Sequence, residues 1–93
     1  MKTRTYQLKP GYTIEDIAGQ KVLIAPAVGN IDYTKMLVLS ESAALVVGYL
    51  MEKEFSIDEL VYILLEEYEV DEAKVRKELL LLLNQLNDLN ILL

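Results

Sequence analysis

Tyr12-Thr13-Ile14-Glu15-Asp16-Ile17-Ala18-Gly19-Gln20-Lys21-Val22-Leu23-Ile24 decides how this chain begins to fold. Tyr12 and Ile14 alternate with Thr13 and Glu15, and Val22-Leu23-Ile24 is a short run rich in β-branched residues. Both are strand patterns. Between them, Ala18-Gly19-Gln20 supplies the glycine that a tight turn needs, so the stretch reads as an antiparallel β-hairpin. Its register stays open, because Asp16-Ile17 breaks the alternation.

Upstream, residues 1–11 read as a flexible lead-in closed by the turn pair Pro10-Gly11. The single domain is expected over residues 12–93, since a chain of 93 residues is too short for two cores. Downstream, Pro26, Gly29 and Asn30 mark a loop, and Lys35-Met36-Leu37-Val38-Leu39 reads as a third strand. Three short strands cannot close a barrel, so the sheet keeps an edge of unpaired N–H and C=O groups unless something covers it.

Helices follow. Ser40 is a good N-cap for a short, largely buried helix over Ala43–Leu50, in which Gly48 suggests close packing. Ser56-Ile57-Asp58-Glu59 is a capping box opening a second helix, with Leu60, Ile63, Leu64 and Tyr68 on one face. Asp71 caps a third, running to about Leu89, where Asn90 suits a left-handed stop. The fold class is α+β: a three-stranded antiparallel N-terminal sheet followed by three helices.

Leu79-Leu80-Leu81-Leu82-Leu83 needs its own account. At 100° per residue, Val75, Leu79, Leu82 and Leu86 form the natural core stripe, and Leu80 and Leu81 project from opposite flanks. Either neighbouring elements cover both, or one flank lines an apolar groove or a dimer contact. Lys74, Arg76 and Lys77 lie near the start of the same helix, where the macrodipole disfavours cations. Two readings stand: i,i+4 pairs (Glu72 with Arg76, Lys74 with Glu78), or contacts to an acidic partner.

Composition removes several function classes. The chain is 53% hydrophobic and 26% charged, so it can bury enough surface to fold. Cys and His are both absent, which removes disulfides, thiolate metal sites, a cysteine nucleophile and the side chain most often used as general base, and so weakens an enzyme reading. Glu66, Glu67, Glu69, Asp71 and Glu72 fall between two helices, where solvated acids are ordinary, so no catalytic or metal residue and no cofactor is expected. Net charge is -6, with residues 1–39 at +2 and the remainder at -8, and such an acidic helical half repels phosphate backbones. No secretory signal or membrane-spanning stretch is visible, and a cytoplasmic location is expected.

Asp16 to Ile24 and Met36 to Leu45 resemble the start of a PqqD-like domain, and the order and spacing of later segments strengthen the likeness. These are Phe55-Ser56-Ile57-Asp58-Glu59-Leu60, Glu66-Glu67-Tyr68-Glu69-Val70-Asp71 and the leucine-rich last helix. The resemblance covers roughly residues 12–92. Ser40 stands where the family usually has Asn, Val47 where an aromatic is common, and Asn90 in place of a usual Gly. The resemblance implies a winged-helix-like fold. Its implied role is to bind the leader of a ribosomally made, post-translationally modified peptide and present it to a modifying enzyme, commonly a radical SAM protein. In the family the leader adds as a strand to the third strand and lies beside the third helix. Carried over, that points to Lys35, Met36, Leu37 and Val38 on the strand, and to Lys74, Val75, Arg76, Lys77, Glu78 and Leu81 on the helix. Met36 and Val38, or else Leu37, would meet apolar leader side chains, and Lys35, Lys74, Arg76 and Lys77 acidic ones. The rival readings are a winged-helix DNA-binding regulator, which the acidic charge disfavours, and a homodimeric structural subunit.

Overall fold

The computed structural model describes residues 4–26 and 36–93. Its elements are β1 (Thr5–Tyr6), β2 (Thr13–Ile17), β3 (Gln20–Ile24), β4 (Leu37–Leu39), α1 (Glu41–Glu52), β5 (Phe55–Ser56), α2 (Ile57–Glu67) and α3 (Glu72–Asp88). The expected α+β order holds, with the three-stranded antiparallel sheet formed by β2, β3 and β4 in that order.

The hairpin turn is tighter than its sequence suggested. Ile17 pairs with Gln20, leaving Ala18 and Gly19 as the two turn residues, with φ of 53° and 81°. Positive φ at both positions is the type I′ turn that matches the twist of paired strands. The register follows from it, with Glu15 opposite Val22 and Thr13 opposite Ile24. The Pro10-Gly11 turn is clamped against the far end of the hairpin. Gly11 has φ 94°, and a Cβ there would lie 2.9 Å from Pro26 Cβ, so only glycine fits.

Residues 5–9, expected within a lead-in, are built into the domain. β1 pairs with β5, placing Thr5 opposite Ser56 and Tyr6 opposite Phe55. Leu8 is buried, bridges to Leu92, and donates its N–H to the Leu50 carbonyl at 2.9 Å. Lys9 N–H donates to Ile91 O and Leu93 N–H to Gln7 O, both at 2.9 Å, so residues 7–9 and 91–93 run side by side. The signal was missed because the pairing is long-range and the strands are only two residues long.

Each helix starts on the cap that the sequence named. Ser40 Oγ accepts from Ala43 N–H at 3.2 Å. The capping box closes in both directions, Glu59 N–H to Ser56 Oγ at 3.2 Å and Ser56 N–H to Glu59 Oε1 at 3.0 Å. Asp71 accepts from Lys74 N–H at 3.2 Å. At the end of α3, Asn90 takes φ 61°; Ile91 N–H reaches Leu86 O at 2.9 Å and Asn90 N–H reaches Asn87 O at 3.0 Å. That is a Schellman stop, and it turns Ile91 and Leu92 back into the core.

The core joins Leu23 and Leu39 of the sheet to Val46, Val47 and Leu50 of α1, Phe55, Leu60, Val61 and Leu64, then Val75, Leu79, Leu83 and Leu86 of α3. Four expectations change. α1 starts two residues earlier and ends two later than Ala43–Leu50. Gly48 is not a close-packing position, since a Cβ there would meet nothing within 4 Å. On α2, Val61 rather than Ile63 or Tyr68 completes the buried face. On α3, Leu83 rather than Leu82 is buried, which rotates the core stripe away from Leu82. No described helix is long and apolar enough to cross a membrane.

Candidate functional site

β4 is an edge strand. It pairs with β3 through Lys21–Leu39, Val22–Val38 and Leu23–Leu37, and no described strand lies on its other side. The register fixes which backbone groups are free. In a two-residue hairpin the pair flanking the turn, here Ile17 and Gln20, exchanges hydrogen bonds, and bonded pairs then alternate. Val22 therefore points its backbone groups at Glu15 of β2, while Lys21 and Leu23 point theirs at β4. Leu37 and Leu39 are consumed by that ladder, and Val38 turns its N–H and C=O to the open edge.

Side chains follow the opposite alternation. Leu39 is buried and Leu37 half-buried against the core, whereas Val38 is 58% exposed on the outer face. Met36, half-buried, precedes the strand, and Lys35 lies outside the described residues.

Immediately after β4 the chain enters a groove. Its volume is about 470 Å³, and it is lined by Ser40, Ser42, Ala43 and Val46 from the start of α1, Leu64 of α2, and Glu78, Leu79, Leu81, Leu82 and Gln85 of α3. The small side chains Ser42 and Ala43 in the first turn of α1 leave the space, and the leucine run supplies the opposite wall. Leu81 is 62% exposed and Leu82 half-exposed, so this apolar flank is uncovered. Leu80, 44% exposed, projects from the other flank, so neighbouring elements leave both leucines open.

The remaining expected residues divide by helix geometry. Lys74 is exposed and falls on the groove flank one turn before Glu78; Lys77 is exposed toward solvent. Val75 is 5% exposed in the core and does not line the groove. Arg76 points the other way. Its guanidinium donates to Asp58 Oδ1 at 2.8 Å and lies 3.8 Å from Glu72 Oε2, tying α3 to α2. The Glu72–Arg76 pair thus forms, and no Lys74–Glu78 bridge does among the described residues.

The groove thus brings Glu78 and Leu81 together beside β4, and adds Ser40, Ser42, Ala43, Leu82 and Gln85, which sequence reasoning did not place there. The small-residue first turn after a cap was the available signal for the α1 wall. For Leu82 there was none, because its position on the wheel suits either core or groove.

No curated protein matches the chain. Among solved structures, one described as "Lasso peptide synthetase B1 complexed with the leader peptide" superposes with a TM-score of 0.68 at 23% identity, covering 95% of this chain and 96% of its own. A second, "TbiB1 in Complex with the TbiA(beta) Leader Peptide", gives 0.68 at 21% identity, with 92% and 93% covered. At these identities the likeness establishes a shared fold. Residues 20–92, from β3 to the C-terminal tail, match the family model of Coenzyme PQQ synthesis protein D, and the chain belongs to the PqqD family.

Proposed function

We propose that this protein binds the leader segment of a ribosomally made precursor peptide and presents it to a modifying enzyme, a radical SAM protein in this reading, without catalysing chemistry itself. The leader adds as a fourth strand to the open edge of β4. Main-chain hydrogen bonds at Val38 supply affinity, and alternate side chains enter the groove to supply selectivity.

The observation that carries the reading is the juxtaposition itself: a strand edge with no partner among the described residues, whose last residue runs directly into an apolar groove between α1 and α3. An exposed edge is a hazard that proteins otherwise blunt, and the uncovered Leu81 serves no packing purpose in the isolated domain. Two solved structures of the same fold are complexes with leader peptides, which supports a leader-binding role.

Titration with the leader of a precursor peptide encoded beside this gene, followed by backbone amide shifts, tests the reading. Shifts concentrated in residues 36–43 and 78–85 are expected, and Leu81→Asp should weaken binding roughly tenfold or more by charging the apolar wall. Shifts spread over α2, or a Leu81→Asp variant that binds normally, would sink it.

A further inference from the structure

Among the described residues, Glu78 is the only charged one lining the groove, and it has no ion-pair partner. Its surroundings make that conspicuous. Ala43, Val46, Leu64, Leu79, Leu81 and Leu82 form the rest of the wall apart from the neutral Ser40, Ser42 and Gln85. In the free protein water solvates the carboxylate. Once a peptide covers the groove, that water is displaced, and a carboxylate closed in without a donor loses hydration with nothing in return.

We propose that Glu78 sets the specificity of the groove, requiring a Lys or Arg in the bound peptide two residues from a large apolar side chain. The inference rests on the leader-binding reading above and gives it a sequence rule. The spacing follows from geometry. Leu81 and Leu82 lie three and four residues after Glu78, about one helical turn or ~5.4 Å along α3. In a strand running beside α3, side chains on one face recur every two residues, about 6.6 Å apart. An apolar side chain seated between Leu81, Leu82 and Ala43 therefore places the residue two positions away against Glu78. Gln85, one turn beyond, then faces the residue two positions to the other side, where a hydrogen-bonding side chain fits.

The rule reverses the expectation that the basic cluster on α3 selects an acidic peptide. Arg76 is engaged by Asp58 on the far flank and Lys77 faces solvent; Lys74, exposed on the groove flank one turn before Glu78, forms no bridge to it among the described residues and does not line the groove, which leaves Glu78 as the charge at the wall. A site whose buried polar group needs a partner rejects occupants that lack one more strongly than it rewards those that have it.

Selection from a random peptide library displayed against the full chain is the test. It is run in parallel on the wild type and on Glu78→Gln and Glu78→Lys, each confirmed folded by its amide spectrum; all three share an exposed position that is not in the core. Peptides that require the groove are those lost with Leu81→Asp. The expected result is enrichment of Lys or Arg two residues from an apolar anchor in the wild type, loss of that preference with Glu78→Gln, and a switch to Asp or Glu with Glu78→Lys. For a selected peptide, Glu78→Gln should weaken binding about tenfold. Groove-dependent peptides with no cation preference, or with one that survives Glu78→Lys, would overturn the specificity rule and leave leader binding standing. If no selected peptide depends on Leu81, both fall together.

Discussion

Val38 has two faces that serve different ends. Its side chain is 58% exposed on the outer face, while the register points its N–H and C=O to the open edge. Proline is tolerated on an edge strand where the N–H faces outward and not where it feeds the ladder. Val38→Pro should therefore leave the thermal midpoint within a few degrees of wild type and weaken peptide binding roughly tenfold or more. Leu37→Pro should damage the β3–β4 ladder itself, visible as loss of stability before any peptide is added. Ala18 offers a test of the hairpin that does not involve binding. An alanine held at φ 53° is strained where asparagine is not, so Ala18→Asn should stabilise by about 0.5–1 kcal/mol in thermal unfolding.

The helices carry both what the sequence disclosed and what it withheld. All three N-caps and the left-handed stop at Asn90 were legible, because capping is a local contest between one side chain and a few orphan N–H groups. Which leucine of the run is buried was not legible. Leu82 and Leu83 sit on either side of the stripe centred on Val75, Leu79 and Leu86, and the choice depends on where α1 lies, information that no local window holds. Gly48 shows the same limit: the sequence suggested close packing, and the space beside it is open. Gly48→Ala should consequently stabilise α1 by about 0.5–1 kcal/mol, raising the thermal midpoint by several degrees. At the head of α2, the Ser56 backbone N–H, and then its hydroxyl, hold the Glu59 carboxyl below the usual glutamate pKa. A depressed folded-state pKa stabilises above the unfolded value and is lost as pH falls through the folded one. Stability should decline across and below the ordinary glutamate range, and Glu59→Gln should flatten that acid limb of a midpoint-versus-pH curve.

At the level of the whole molecule, residues 5–9 and 91–93 are tied into the domain, whereas the outer edge of β4 carries no described strand. Residues 5–9 pair with β5 and with the tail after Asn90, drawing Leu8, Ile91 and Leu92 into the core. None of this was legible, since the partners lie some fifty to eighty residues apart and each contributes only two or three residues. Leu8→Ala should cost about 2–4 kcal/mol, read in denaturant unfolding, as a buried core truncation rather than a change in a loose lead-in. The open edge at β4, by contrast, was foreseeable: a short sheet must end somewhere, and only which N–H faces outward awaited the register. Hydrogen exchange at the Val38 amide tests the central claim most directly, because that N–H has no strand partner among the described residues and gains one if a peptide adds at β4 as proposed. Saturating leader should slow exchange at Val38 by at least tenfold while leaving the β2 edge, Thr13–Ile17, unchanged. Unaltered exchange at Val38 in a complex that demonstrably forms would contradict strand addition at β4.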